Sequence, residues 1–242
     1  MIEAVFISDL HLHPEYPNIS EYFTRFINWV VGNTREIYIL GDLFHAWAGD
    51  DLAENWAKHI ALQLLSVKQA GIRINYIHGN RDFLVGNRFA DLAGIELLFE
   101  PTLITLGQQR VLLMHGDSYC TNDRWHQWLR FFTRNSFFPK IFLSLPREIR
   151  LKMVSVMRDH SQGNYHKSDK SLELVVNSMI SHMQRLQVRT IVHGHTHKPG
   201  LTVHQRDGKN YSQYVLSDWD DKPVLLCYHK TNGFYFDTCW GE

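Results

Sequence analysis

The fold is decided by residues 5–11, VFISDLH, in which an apolar run ends at a carboxylate and an imidazole. An apolar run of this length predicts a short buried strand. Asp9 and His11 stand at its end, and both side chains are common metal ligands. Five such strand ends predict a single metal centre at which they meet. The other four are residues 37–42 (IYILGD), 74–82 (INYIHGNRD), 111–117 (VLLMHGD) and 190–197 (TIVHGHTH).

The segments between the first three strands predict helices. One follows residues 5–7, with apolar positions at helical spacing between a capping Ser20 and Gly32. A second covers about 52–70, where Gly71 would end it. This β-α-β-α-β order favours parallel strands covered by helices, and ligands bind such sheets beyond the carboxyl ends of the strands. The motifs fall at those ends.

The pattern changes at about 120–186, where strand-like runs give way to clustered aromatic residues and interleaved cations. Pro139 and Pro146 divide this stretch into short helices. We interpret it as a helical insertion that lies over the site and forms a lid. The alternative is a helical subdomain that uses its aromatics as core. The residues concerned are Trp125, Trp128, Phe131, Phe132, Phe137, Phe138 and Phe142, with Arg124, Arg130, Arg134, Lys140, Arg147 and Arg150.

Beyond residue 197 the sequence predicts four strands, at 201–205, 211–216, 223–229 and 234–238. Asp-Gly and Asn-Gly pairs between them are typical of tight turns. We therefore expect an antiparallel meander to close the fold.

The length, composition and charge balance of the chain indicate one cytoplasmic domain, residues 1–242, without affinity for nucleic acid. The chain is 44% apolar, and Lys plus Arg equal Asp plus Glu at 25 each, so no net charge attracts a polyanion. Three cysteines without Cys-x-x-Cys spacing favour a reducing compartment. No leader peptide is evident, and no apolar run reaches the roughly 18 residues of a membrane span. We expect a monomer.

Seven side chains from the five motifs are candidate metal ligands. Residues two apart on an extended segment point the same way, so each Asp-x-His or His-x-His pair can face one centre. Seven ligands suit two ions about 3.5–4 Å apart that share a carboxylate. We assign that bridge to Asp42, which has two oxygens and follows Gly41. The lack of thiolates favours two Mn²⁺ ions or similar divalent metals. The seven are Asp9, His11, Asp42, Asn80, His115, His195 and His197.

Each motif alone is weak evidence for a metal site. Gly-Asp and Gly-Asn are ordinary turns, and a chain with 15 histidines can contain a His-rich tract by chance. The five motifs together are stronger evidence, because every one of them follows an apolar strand-like run.

In their order the motifs resemble those of the calcineurin-like metallophosphoesterases, which carry Asp-x-His, Gly-Asp, Gly-Asn, His-Gly-Asp and Gly-His-Thr-His. The resemblance implies an α/β fold, the metallophosphoesterase-like α/β/α (ββ) sandwich, with a dimetal site that hydrolyses phosphoesters or phosphoanhydrides. Most members have His after Gly-Asn, whereas this chain has Arg81. A phosphate leaving group needs no proton from the protein, and a guanidinium matches diphosphate oxygens. The substitution favours cleavage of a P–O–P bond.

Residues 41–51 and 79–84 resemble one branch of this superfamily, the family that hydrolyses UDP-2,3-diacylglucosamine in lipid A synthesis. That resemblance implies a two-tailed lipid substrate, for which the insertion would supply an apolar slot and aromatics that can enter a bilayer interface. It also implies peripheral contact with the cytoplasmic face of the inner membrane. It also implies catalytic roles for Asp42, Asn80, Arg81 and His195. The substrate contacts that it implies are Asn80, Arg81, Asp123, Ser161, Asn164, Lys167 and His195.

Two other functions remain open from the sequence. The first is a dimetal hydrolase of a soluble nucleotide, such as a dinucleoside polyphosphate, which the aromatic insertion disfavours. The second is a scaffold protein with a vestigial metal site, which would be expected to lack ligands that this chain retains.

Overall fold

Two β-sheets pack against each other in the computed structural model, which describes residues 1–119, 137–165, 175–238 and 240, with the backbone alone at 157–165. A cluster of buried side chains from both sheets fills the space between them, including Phe6, Leu40, Leu113 and Val192. The strands are β1 (Ala4–Ile7), β2 (Glu36–Leu40), β3 (Arg73–Ile77), β4 (Glu96–Leu98), β5 (Thr102–Leu106), β6 (Gln109–Leu113), β7 (Thr190–His193), β8 (Gly200–Arg206), β9 (Lys209–Val215), β10 (Leu225–His229) and β11 (Gly233–Asp237).

The first sheet has the order β11-β10-β1-β2-β3-β4. Strands β1 to β4 are parallel, whereas β10 and β11 pair antiparallel at one side. The predicted parallel core is confirmed. It follows from the apolar composition of β1 and β2, which are buried on both faces as parallel strands require.

The second sheet has the order β5-β6-β7-β9-β8, with β6, β7 and β9 parallel. The predicted meander is wrong, because the two C-terminal hairpins join different sheets. The β8–β9 hairpin extends the second sheet, and β10–β11 extends the first. The turn residues predicted each hairpin correctly but carry no information about which sheet it joins.

Helices cover the outer faces of both sheets, which confirms the α/β sandwich. One hydrophobic cluster joins the first sheet to helices α1 to α3, and another joins the second sheet to α6 through Met179 and Met183. Among the described ranges, no helix is long and apolar enough to cross a membrane. The helices are α1 (Pro17–Val30), α2 (Asn55–Gln69), α3 (Asn87–Ala93), α4 (Phe137–Leu143), α5 (Arg147–Tyr165) and α6 (Val176–Arg185), with short 3-10 turns at Asp50–Leu52 and Asp117–Tyr119.

The helix starts differ from the predicted ones by a few residues. Helix α1 begins at Pro17 rather than after Ser20, because proline is well suited to a first helical position that needs no N–H partner. Within the predicted insertion, α4 and α5 are helical as expected, and α6 belongs to the outer layer of the second sheet.

Candidate metal centre

The five motif loops meet where the carboxyl ends of strands from both sheets come together. Asp9 and His11 follow β1, Asp42 follows β2 and Asn80 follows β3. His115, His195 and His197 follow β6 and β7 of the second sheet. The structure therefore brings all seven predicted ligands to one junction between the sheets.

One group of candidate ligands consists of Asp9, His11 and His197, whose ligand atoms lie within 4.8 Å of one another. His197 Nε2 is 3.3 Å from Asp9 Oδ1, and the rings of His11 and His197 are 5.4 Å apart. Two imidazoles and one carboxylate would supply three ligands to a divalent cation.

The second group consists of Asp9, Asp42 and His115. His115 Nε2 lies 3.7 Å from Asp42 Oδ2. The amide oxygen of Asn80 lies 2.9 Å from His115 Nε2 and 3.1 Å from His195 Nδ1, which extends this group to all the remaining predicted ligands.

Two carboxylates stand between the groups. Asp9 belongs to both, and Asp42 Oδ2 is 4.0 Å from His11 Nδ1 as well as 3.7 Å from His115 Nε2. Either carboxylate therefore faces imidazoles on both sides, which is the position that a bridging ligand needs.

The hydrogen bonding of two histidines fits a metal site. Both ring nitrogens of His11 are buried without a hydrogen-bond partner among the described residues, and a cation bound at one of them would offset part of this cost. His115 Nδ1 faces the Leu40 carbonyl at 2.8 Å, which leaves Nε2 directed at the centre. Nε2 in turn lies 2.9 Å from the Asn80 amide oxygen, another candidate ligand, so the ring is oriented with this nitrogen toward the centre.

The pKa values of the candidate ligands are shifted by burial and by the charges clustered at the centre. Burial, with the nearby charges of Asp82 and Asp9, raises the pKa of Asp42 to about 7. Burial lowers the pKa of His115, but Asp42 and Asp9 outweigh it and raise this pKa to about 9. Burial and the Arg81 charge hold the pKa of His11 well below its ordinary value. Protons thus compensate the clustered carboxylates, and a divalent cation would replace them.

The backbone at the centre is held in an uncommon conformation. Asp9, His11, Asp42, His195 and His197 all have φ between 53° and 68°. Asp and His tolerate this left-handed region better than most residues, and non-glycine residues in it concentrate at functional sites. The conformation turns each side chain away from its strand and into the junction.

The glycines of the motifs allow the loops to approach closely. A Cβ added at Gly79 would lie 2.0 Å from Asp42 Oδ1, and one at Gly194 would lie 2.3 Å from Asp9 Oδ2. Gly41, with φ of +90°, would place a Cβ 2.8 Å from His115 Nδ1. No side chain fits at these positions while the ligands stay in place.

Two residues that position the ligands were missed by the sequence analysis. The Asp82 carboxylate accepts hydrogen bonds from the backbone N–H groups of Asp42, Phe44 and Gly79. Asp218 Oδ2 lies 3.2 Å from His197 Nδ1 and thereby orients that ring. Asp82 could have been found, because it stands within the third motif, whereas Asp218 lies in a loop with no motif.

Arg81 stands at the edge of the centre. Its backbone N–H donates to Asp42 Oδ1 at 2.9 Å, and its Nε lies 3.7 Å from Asp42 Oδ2. Its Nη1 is 3.5 Å from His45 Nδ1. The side chain is largely buried, so its cation faces the candidate metal ligands rather than bulk solvent.

The predicted substrate contacts in the insertion are not all described. Asp123 and Lys167 lie outside the described residues. Ser161 and Asn164 belong to helix α5, whose backbone alone is described there. These four residues stay predictions, whereas Asn80, Arg81 and His195 lie at the junction.

Comparison with known proteins gives two findings. The family model for calcineurin-like phosphoesterases matches residues 3–199. Proteins named UDP-2,3-diacylglucosamine hydrolase are 40% identical in Serratia proteamaculans (90% of this chain, 91% of that protein) and 37% identical in Histophilus somni (98% and 100%). The family implies divalent metal binding, for which both candidate ligand groups are suited. The chain belongs to the calcineurin-like phosphoesterases, and among them to the family of the UDP-2,3-diacylglucosamine hydrolases.

Proposed function

We propose that this chain hydrolyses the diphosphate of UDP-2,3-diacylglucosamine to UMP and 2,3-diacylglucosamine 1-phosphate, a reaction of lipid A synthesis. The observation that carries the proposal is the similarity to hydrolases of that name over about nine-tenths of both chains. The match to the Histophilus somni protein covers 98% of this chain, so it includes the insertion as well as the metal-centre loops.

We further propose that the seven candidate ligands hold two Mn²⁺ ions, with Asp42 as the bridge. The ligand set of carboxylate, amide and imidazole without thiolate supports this choice. When bound, such a pair of ions supplies an acidified water near neutral pH and offsets the negative charge that develops at phosphorus.

The residues around the ions would bind and orient the diphosphate. Asn80 and His195, which lie 3.1 Å apart, would contact the attacked phosphate. The planar guanidinium of Arg81, 3.7 Å from Asp42, would bind diphosphate oxygens in two places. No acid near the leaving group is required, because a phosphate leaves without taking a proton from the protein.

The insertion would hold the lipid part of the substrate, with Asp123, Ser161, Asn164 and Lys167 as sugar and phosphate contacts. We also propose peripheral contact with the cytoplasmic face of the inner membrane. In the described part of the insertion, Phe137 and Ile141 are 69% and 66% exposed, and Lys140 lies between them. Exposed apolar residues beside cations suit an interface with anionic lipids.

A side-by-side assay tests the substrate. Purified protein loaded with Mn²⁺ is offered UDP-2,3-diacylglucosamine and, separately, a dinucleoside polyphosphate, and nucleotide products are separated by chromatography. Release of UMP from the lipid substrate alone is expected. Faster hydrolysis of the soluble nucleotide would overturn the proposal in favour of a nucleotide hydrolase.

Membrane contact is tested by sedimentation with vesicles that contain anionic phospholipid. Ile141→Glu should lower the bound fraction several-fold, since it places a charge among the exposed apolar residues of α4. Leu62→Glu is the matched control, because Leu62 is 53% exposed on α2, outside the insertion. Equal loss in both variants would argue against contact through the insertion.

A further inference from the structure

Helix α4 and the part of α5 whose side chains are described contain very few buried residues. Between residues 137 and 156, whose side chains are described, only Phe142 and Arg150 are buried. Phe142 joins the hydrophobic cluster of the first sheet and stacks on Phe138, which in turn contacts Phe83. Arg150 is 4% exposed. A buried guanidinium is costly unless its N–H groups are paired, so its partners decide where the helix sits.

The partners of Arg150 lie in the loop that follows the second motif. Its two terminal nitrogens donate to both carboxylate oxygens of Asp51, one of them at 2.8 Å, and Nη1 also donates to the Ala48 carbonyl at 2.9 Å. The same hydrogen bonds hold the pKa of the Asp51 carboxyl below its ordinary value. Gly49, with φ of +122°, makes room for this contact, since a Cβ there would lie 2.7 Å from Arg150 Nη1. The loop is thus shaped around the guanidinium.

That loop is also fixed to the metal centre. The Asp50 carboxylate accepts hydrogen bonds from Trp47 Nε1 at 3.0 Å and from the backbone N–H groups of Gly86 and Phe89 at 2.9 Å. The backbone N–H of Trp47 donates to the Arg81 carbonyl at 3.2 Å. Asp51 therefore offers Arg150 an anchor that is tied to the residue beside the candidate ligands.

We propose that the Arg150–Asp51 pair is a latch that positions helix α5 relative to the metal centre for a large, lipid-bearing diphosphate. The helix is continuous from Arg147 to Tyr165, so Ser161 lies about 16 Å along its axis from Arg150. A tilt at Arg150 therefore becomes a larger displacement at the predicted substrate contacts. The pair touches neither substrate nor ligands, so both residues are positioning residues. This inference rests on the proposed function.

The test compares two substrates and three variants. Arg150→Ala should lower kcat/KM for UDP-2,3-diacylglucosamine by at least about tenfold, because misplacement of a positioning element by 1 Å costs on the order of 10²-fold. Hydrolysis of bis(p-nitrophenyl) phosphate, which has no lipid part for the insertion to hold, should change less than about twofold. Arg150→Lys should recover only part of the loss, since an ammonium cannot make the paired contact. Lys152→Ala, which removes an exposed cation from the same helix, should change neither rate.

Hydrogen exchange measured by mass spectrometry tests the latch without any substrate. In Arg150→Ala, amides of residues 147–165 should exchange faster, and those of β1 to β3 should not change. Equal loss of activity on both substrates would overturn the inference, because the pair would then support the metal loops alone. Unchanged hydrogen exchange in α5 would also overturn it. If the wild type does not release UMP from the lipid substrate, the proposed function fails, and the exchange result still decides whether the latch exists.

Discussion

The metal-centre loops and the described part of the insertion differ in how far their side chains are buried. In the loops, Asp9, Asp42 and His115 are at most 2% exposed, and close-packed glycines fix the surrounding backbone. In the described part of the insertion, apolar side chains such as Phe137 and Ile141 are about two-thirds exposed. The candidate ligands are therefore buried within the fold, whereas the described part of the insertion leaves apolar side chains exposed, as the proposed binding of a lipid substrate would require. Substitutions in the two regions should have different consequences.

The largest effect is expected at the carboxylate between the two ligand groups. Asp42→Ala should lower turnover by at least about 10³-fold, since the ions contribute several kcal/mol of charge stabilisation. A bridging ligand serves both ions, so metal analysis of this variant should show loss of both. His197→Ala, which removes a ligand from one group only, should lose one ion.

Asp9→Ala tests the rival bridge, because Asp9 belongs to both candidate groups. If Asp9→Ala loses two ions and Asp42→Ala only one, the bridge is Asp9. Circular dichroism should show that each variant keeps the wild-type fold. A folded Asp42→Ala protein with near-normal turnover would contradict the dimetal mechanism and the contrast between the two regions.

The second-largest loss of activity is expected from a steric clash at Gly79. Gly79→Ala should lower activity by about 10²-fold, because its Cβ would lie 2.0 Å from Asp42 Oδ1 and must displace the carboxylate. Gly208→Ala is the matched control: its φ is +68° with nothing within 4 Å, so it should cost about 1–2 kcal/mol of unfolding free energy and no activity. Equal activity in the two variants would show that the loops are less tightly packed than their distances imply.

Much of the metal-centre region could be predicted from the sequence. Strands such as β1 and β2 are short apolar runs, and a parallel sheet places their carboxyl ends together. Each ligand therefore stood next to a strand that could be recognised locally. The left-handed conformation of Asp9 and His11 could not be foreseen, because the strain is maintained by packing from distant segments.

Predictions that depended on long-range packing were less successful. The C-terminal hairpins were found by their turns but assigned to a single meander, since local turn chemistry does not choose between sheets. Asp218 was missed because it is 21 positions beyond His197 and meets it only through the loop between β9 and β10. The latch at Arg150 was missed for the same reason, as its partner Asp51 is 99 positions away.

A smaller effect is expected at Asp218, which tests whether the C-terminal segment supports the metal centre. Asp218→Ala should weaken metal affinity by about 10- to 100-fold, since a carboxylate that orients a ligating histidine has an effect of that size. Asp220→Ala, an exposed neighbour, should leave affinity unchanged. Titration of the metal-free protein with Mn²⁺ by calorimetry measures both. Unchanged metal affinity in Asp218→Ala would show that the C-terminal segment does not support the metal centre and that the five motif loops suffice.

The smallest effect concerns pH and distinguishes the buried centre from the exposed insertion. In the metal-free protein the pKa of Asp42 is about 7 and that of His115 about 9, both above their ordinary values of 3.8 and 6.5. The folded state thus binds these protons more tightly than the unfolded chain does, so the free energy of unfolding falls as pH rises. The contribution of Asp42 is lost between pH 3.8 and about 7, and that of His115 between pH 6.5 and about 9. The lowered pKa of His11 acts below pH 6.5 and does not alter this window.

Thermal unfolding at pH 7 and pH 9 should therefore show a lower Tm at the higher pH for protein held in chelator, by about 2–4 °C for each kcal/mol lost. Added Mn²⁺ should restore stability more at pH 9 than at pH 7, because the ions need not displace protons that have already left. His115→Asn should remove most of the pH dependence, and Ile141→Glu in the insertion should retain it. A metal-free Tm that rises between pH 7 and pH 9 would mean that His115 is neutral in the folded protein and that the centre is not organised around clustered negative charge.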